Sequence, residues 1–504
     1  MSNAQGDIAA LAKGGRTNLI GFLLRLLARI PFLFIAGRLY GPEAVGRYAF
    51  ALVVIELAAL VCTIGEKRGL AFRLAEGEEN QTSLIADALV VALALSALLA
   101  VPLYFFPTLL FPSGIYTDLD RWIVLAIPAF ALTDMMLAAQ AYKYDVGTTV
   151  RARAVVEPWT ISILAGVFFF IPVLSEAGLS LAYLLSIYAG LLTAAWSFVR
   201  TWGLPRGWWP HPGRIGRMML RALPLTVADA IEWGTRRLDI FILGLFAGPV
   251  AVGIYYMAQQ VASLPQKLKT SFEPILGPVI TARLKEHDYA AIAKQVCQVG
   301  FWIVAAQAGI GLALGIPGEA LMGLFGENGR FVPGTGALAF LLAAEVVAAT
   351  AVVSEAALIY VARLRNLWVS IGTIVLQALL TVAFMLAIER AGFLDAERAE
   401  YWRAAAAAAA LMLALAVASV IKAVMLSRIL GHPVNNWRWP LVWAVAAAVV
   451  VGQLAIRLPE WIELLVGVPA ILGVYSWIIW RHGFGPEDRV LFRRQIVEDD
   501  SAKG

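Results

Sequence analysis

The chain has 504 residues, 60% of them hydrophobic and 15% charged, with a net charge of +5 and a mean hydropathy of +0.76. A soluble domain carries about 25% charged residues, so the composition excludes a soluble enzyme or a secreted scaffold and specifies a polytopic membrane protein. Cys62 and Cys297 lie far apart in apolar runs, which excludes a disulfide framework and a C-x-x-C metal or redox site.

Apolar stretches of about 17 to 25 residues predict an all-α protein with fourteen transmembrane helices. The first six run near 17–39, 44–65, 83–106, 121–141, 155–174 and 178–199. The first carries Arg25, Arg29 and Pro31 and is followed by no small-residue cleavage site, so it reads as a retained helix rather than a signal peptide. Trp202, Trp208 and Trp209 beside Arg206, Arg214 and Arg217 then suit an interfacial segment at the cytoplasmic face. Six further spans lie near 222–246, 249–266, 295–317, 336–361, 366–388 and 402–425, and a last pair near 439–456 and 461–480. The expected organisation is an N-terminal lobe (1–200), a cytoplasmic linker (201–221), a C-terminal lobe (222–425), helices thirteen and fourteen (439–480) and a cytoplasmic tail (481–504). With the N-terminus inside, 28 Lys/Arg fall in inside segments, 8 in outside segments and 4 within spans, which predicts cytoplasmic termini. The connecting loops leave no room for an extramembrane catalytic domain.

Shifting the chain by 207 residues reveals a repeat. Arg29, Phe34, Ile35, Gly37, Gly41, Pro42, Ala44, Val45, Gly46 and Tyr48 fall on Arg236, Phe241, Ile242, Gly244, Gly248, Pro249, Ala251, Val252, Gly253 and Tyr255. Both copies read R-x4-F-I-x-G-x3-G-P-x-A-V-G-x-Y. The Gly-Pro pair, Gly41-Pro42 and Gly248-Pro249, predicts a tight outside turn, and Gly46 and Gly253 predict close packing of the two helices that the turn joins. An offset of six helices gives both lobes one orientation, related by a pseudo-twofold axis along the membrane normal.

At these residues the chain resembles the polysaccharide transporter, or oligosaccharide flippase, family of the multidrug/oligosaccharidyl-lipid/polysaccharide (MOP) flippase superfamily. The resemblance rests on the stretch from Leu39 to Tyr48, on the segment from Arg237 to Gly244 followed by Gly253-Ile254-Tyr255, and on Leu324-Phe325-Gly326-Glu327. It implies two six-helix lobes plus two C-terminal helices in the bacterial inner membrane. The implied cargo is an undecaprenyl-diphosphate-linked oligosaccharide, a repeat unit of O-antigen, capsule or exopolysaccharide, flipped by alternating access. Polysaccharide polymerase and glycosyltransferases are the implied partners besides membrane lipids. A multidrug or cation antiporter of the same superfamily and a peptidoglycan-precursor flippase are the alternatives.

An arginine at the bilayer centre costs roughly 2.5 to 3.5 kcal/mol on insertion scales, so Arg25, Arg29, Arg236 and Arg237 are expected to face a cavity. Guanidinium groups grip phosphate bidentately, which makes these four the candidate diphosphate contacts. The repeat puts Arg29 and Arg236 at equivalent depth. Ion pairing is the competing reading: Glu232 precedes Arg236 by one turn, and Asp229 or Glu56 could neutralise Arg25 or Arg29 across the bundle. Glu56, Asp134, Asp229, Glu232, Asp239, Glu345 and Glu355 are candidates for ion coupling or charge balance. The sequence has no G-x-x-x-x-G-K-[ST], and its four histidines show no metal spacing, so no metal, cofactor, catalytic residue or nucleic-acid partner is expected.

Overall fold

The computed structural model describes residues 27–76, 80–203, 205, 207–210, 212–270, 280–281, 283–391, 395–485 and 488, and all regular structure among them is helical. In chain order, α1 covers residues 27–40 and is followed by α2 (Gly41–Thr63), α3 (Glu66–Glu76), α4 (Gln81–Phe105), α5 (Ala126–Tyr142), α6 (Val146–Val150), α7 (Glu157–Phe169) and α8 (Gly178–Trp202). Then come α9 (Pro212–Phe246), α10 (Pro249–Thr270), α11 (Tyr289–Gly315), α12 (Gly318–Gly323), α13 (Thr335–Val361), α14 (Arg363–Ala391), α15 (Ala396–Leu430), α16 (Pro440–Ala455) and α17 (Glu460–Gly483).

Among the described residues ten helical stretches are long and apolar enough to cross a membrane, which makes this a multi-pass membrane protein. One of the ten, Leu27–Ala75, holds the described part of the first expected span together with the second, and Pro440–Ala455 is a shorter apolar helix. The expected seventh and eighth spans are the helices α9 and α10, kept outside that group by the charged residues of α9 and by the glutamines, tyrosines and prolines of α10. Fourteen therefore stands as a reading of the sequence.

Helix α9 starts at Pro212, ten residues before its expected 222. Two residues of this stretch are tied down: Trp208 Nε1 donates to Asp87 Oδ1 at 2.9 Å, and Arg214 pairs with the same carboxylate, which is fully buried on α4.

The chain packs as two compact units, one of residues 1–259, 322–337 and 374–410, the other of residues 260–321, 338–373 and 411–504. In this division α9 and the first half of α10 pack with α1–α8, and α10, α13, α14 and α15 each run from one unit into the other.

Within the first unit the reason is a contact between the two copies of the repeat. A Cβ on Gly46 would collide with the Pro249 carbonyl, and a Cβ on Gly253 would collide with the Pro42 carbonyl. A Cβ on Gly37 would collide first with the Phe325 carbonyl and would lie 3.2 Å from Met257, while one on Gly244 would collide with Phe50, the residue one repeat length before Met257. Such exchange of partners, i on j and j on i, is the mark of a local twofold. The small residues thus bring α2 against α10, not α2 against its own hairpin partner as the motif alone predicts. Gly41 takes the turn conformation with φ +78°, whereas at Gly248 the backbone N–H donates to Glu400 Oε2 at 2.8 Å.

In the second unit α16 and α17 pack on α11 through Phe301, Ala305, Ala444, Ala448, Ile471 and Tyr475. The chain beyond α17 is fastened there by Asp488, which is buried and accepts from Arg438 Nη1 at 2.6 Å, the Gly485 N–H at 2.8 Å, Trp302 Nε1 at 2.9 Å and Gln298 Nε2 at 3.0 Å. Burial pushes its carboxyl up, but the donors together outweigh burial and hold it below the ordinary carboxylate value. A depressed carboxylate contributes stability that is present above the unfolded pKa of about 3.9 and is lost as pH falls through the folded one. Hydrogen exchange at Gly485 is therefore expected to stay slow in the wild type at pH 5 and 7, and to be fast at both in Asp488→Asn. Equal exchange rates in the two proteins would remove the charge from this account.

Candidate functional site

The first unit encloses a cavity of about 620 Å³ lined by residues of α1, α2, α3 and α5–α10. Local backbone features aim the charged side chains into it. At the end of α2, Ile64 (φ 47°) and Gly65 (φ +68°) take left-handed conformations, and a Cβ on Gly65 would meet Leu225. The kink starts α3 and puts Lys67 on the cavity. Between α6 and α7, residues Arg151–Val156 form a π-helical turn. Pro158 has no N–H to donate back and cannot sit against a regular preceding turn, which suits an expanded helix there. The turn carries Arg153 into the cavity one residue set before Glu157.

Two ion-paired groups form the polar wall. Arg237 on α9 donates to Glu56 on α2 through Nε at 2.8 Å and Nη2 at 3.0 Å, a bidentate pair in which both side chains are mostly buried. Arg153 binds Glu157 at 2.9 and 3.0 Å and also pairs with Asp134 on α5, whose second oxygen lies 3.0 Å from Lys67 Nζ. Removing one member of a buried pair strands its partner and costs about 3 to 5 kcal/mol, whereas removing both is far milder. Arg237→Ala is thus expected to lower the melting temperature clearly, and Glu56→Gln added to it is expected to restore much of the loss. A double variant as unstable as the single one would show that the pair does not act as a unit.

Arg29 on α1 completes the charged set and is half-buried on the cavity, and no described acid lies within ion-pair distance of it. The described lining residues hold four cations, Arg29, Lys67, Arg153 and Arg237, and three acids, Glu56, Asp134 and Glu157. The balance is one positive charge, and it lies at Arg29. The same cavity holds an aromatic group, with Tyr48 edge-on to Phe32 (5.8 Å), Tyr183 (5.7 Å) and Tyr256 (6.1 Å). Tyr183 is 6% exposed, and its hydroxyl has no hydrogen-bond partner among the described residues. This arrangement can take an anion at Arg29 and polar hydroxyls against the tyrosines.

The candidates from the sequence divide accordingly. Arg29, Arg237, Glu56 and Asp134 line one cavity. Arg25 lies outside the described residues. Arg236 does not line the cavity: its side chain is 65% exposed and pairs with Glu232 at 2.8 Å. One residue further on is about 100° round the helix, and that turn gives the cavity position to Arg237. Asp229 and Glu232 bind Arg68, so neither Asp229 nor Glu56 neutralises Arg29. Asp239 accepts from Tyr255 Oη at 2.5 Å and Gln259 Nε2 at 3.1 Å away from the cavity. In the second unit Glu355 pairs with the buried Lys422 at 2.8 Å. Glu345 is half-buried on α13. Lys67, Arg153, Glu157 and the tyrosines were not foreseen. The i, i+4 spacing of Arg153 and Glu157 was the available signal.

The fold is shared with several solved structures. An inward-facing multidrug resistance MATE family transporter of the MOP superfamily aligns with a TM-score of 0.65 at 16% identity, over 81% of this chain and 95% of that one. The lipid II flippase MurJ in an inward closed conformation aligns at 0.67 and 11% identity, over 94% and 100%. A MOP superfamily transporter from Pyrococcus furiosus, described as having a binding pocket of reverse polarity that suggests a different function, aligns at 0.56 and 17%, over 84% and 95%. No curated protein matches the sequence. The family described as polysaccharide biosynthesis protein matches residues 11–282, more than half of the chain. With that match over more than half of the chain, the chain belongs to the polysaccharide biosynthesis protein family, and its fold is similar to that of MOP superfamily transporters.

Proposed function

We propose that this protein flips an undecaprenyl-diphosphate-linked oligosaccharide across the bacterial inner membrane by alternating access of two six-helix lobes, with both termini in the cytoplasm. The observation that carries the reading is Arg29, a guanidinium on the cavity with no described acid beside it. Such a group attracts an anion and can hold phosphate oxygens through two parallel hydrogen bonds. Arg237 stands on the same cavity and becomes a second phosphate donor when Glu56 releases it. The Tyr183 hydroxyl and the faces of Tyr48 and Tyr256 suit sugar, which has both hydroxyls and apolar C–H faces. Family membership supports a role in polysaccharide biosynthesis, and the MurJ-like fold supports a lipid-linked cargo.

An exporter of organic cations fits less well, because Glu56, Asp134 and Glu157 are each bonded to an arginine of the wall. Deleting the gene is expected to leave undecaprenyl-diphosphate oligosaccharide in the cytoplasmic leaflet. Normal surface glycan with no such accumulation would refute the proposal, and a gain of resistance to cationic dyes on overexpression would favour the antiporter.

A further inference from the structure

In the second unit α14 and α15 frame a groove of about 600 Å³ that the transport reading does not use. Arg365, in the first turn of α14, and Arg428, in the last turn of α15, line it together. Both side chains are exposed, and no described acid lies within ion-pair distance of either. The third basic residue nearby behaves differently: Lys422 is buried and is bound to Glu355 at 2.8 Å and Ser370 Oγ at 3.2 Å. The positive charge left open to the groove is therefore that of the two guanidiniums.

The rest of the lining is apolar. Val420, Ile421 and Val424 on α15 are exposed and form a strip that leads away from Arg428 toward the middle of the helix. Trp368, one turn on from Arg365, is also exposed and suits the level of the headgroups. A surface with two unneutralised arginines at the end of an apolar strip matches one kind of occupant, a negative headgroup joined to a hydrocarbon chain. Basic pockets between transmembrane helices bind anionic lipid headgroups in this way.

We propose that this groove binds an anionic phospholipid of the bilayer, with Arg365 and Arg428 sharing its phosphate and Val420, Ile421 and Val424 holding an acyl chain. The positive-inside count puts both arginines at the cytoplasmic leaflet. The bilayer's own lipid is the occupant rather than the cargo, because the groove carries exposed apolar side chains and no tyrosine or other polar group suited to a glycan.

The test is native mass spectrometry of the purified full-length protein titrated with phosphatidylglycerol or with phosphatidylcholine of the same chains. Arg365→Gln/Arg428→Gln is expected to weaken phosphatidylglycerol binding by about tenfold or more and to leave phosphatidylcholine binding unchanged. The single variants Arg365→Gln and Arg428→Gln carry the same comparison if the double variant aggregates, since each side chain is on the surface. Unchanged phosphatidylglycerol affinity, equal wild-type affinity for the two lipids, or a loss confined to added undecaprenyl diphosphate would each overturn the proposal.

Discussion

Arg29→Lys is expected to abolish most glycan export while leaving the protein folded and inserted, and Arg236→Lys is expected to leave export near the wild-type level. The two residues are equivalent by the repeat but not by their surroundings. Arg29 lies on the cavity with no described acid beside it, whereas Arg236 is largely exposed and bonded to Glu232 one turn earlier. Lysine keeps the charge at either position and loses the planar fork that holds phosphate at two points. A charged hydrogen bond contributes about 1.5 to 3 kcal/mol, so losing one at the cargo phosphate reduces binding by roughly tenfold to a hundredfold. At Arg236 the same change replaces one exposed helix-surface pair by another, worth only about 0.3 to 0.5 kcal/mol. Surface glycan normalised to membrane protein level measures both. Wild-type export in Arg29→Lys would refute the phosphate contact, and equal losses in the two variants would restore the symmetric clamp that the repeat alone suggests.

Gly46→Ala and Gly253→Ala are each expected to destabilise the protein by about 2 kcal/mol or more, at the upper end of what one added methyl group does in a packed interior. At both positions the new Cβ would meet a carbonyl of the opposite repeat, and a backbone atom cannot turn aside as a flexible side chain can. The remedy is separation of α2 from α10, which loosens the whole contact that joins the two copies. Gly372 on α14 provides the control, since a Cβ there meets nothing within 4 Å. Gly372→Ala is expected to be neutral or stabilising by up to about 1 kcal/mol, because alanine is the better helix former. Melting temperatures in detergent measure all three, and a ranking with Gly372→Ala as the most damaging would contradict the twofold contact.

Most of the membrane architecture was legible because insertion in lipid demands long apolar helices, and the Gly-Pro turns stand out against them. The repeat was legible to the residue, yet its meaning was not. The motif placed Gly46 and Gly253 within hairpins, and their actual partners, Pro249 and Pro42, lie on the other copy, some 200 residues away in sequence. The cavity was half legible. Charges in apolar runs marked Arg29, Glu56, Asp134 and Arg237, but the pairing of Glu56 with Arg237 joins α2 to α9 and has no trace in local spacing. Arg153, Glu157 and Lys67 were read as loop or span-edge charges because a hydropathy window closes a span at its first charges. Ion-paired side chains facing protein can instead lie inside a helix that continues past the apolar run, as α6, the π turn and α7 do.

The central claim is movement of a lipid-linked anionic glycan through the Arg29 cavity, and translocation in proteoliposomes tests it most directly. A labelled undecaprenyl-diphosphate oligosaccharide is placed in both leaflets, and the fraction that becomes accessible to an enzyme added outside is followed with time. Wild-type protein is expected to expose the inner pool, Arg29→Lys to leave it protected as in protein-free liposomes, and Arg236→Lys to match the wild type. Exposure by Arg29→Lys at the wild-type rate, or none by the wild type, would contradict the account.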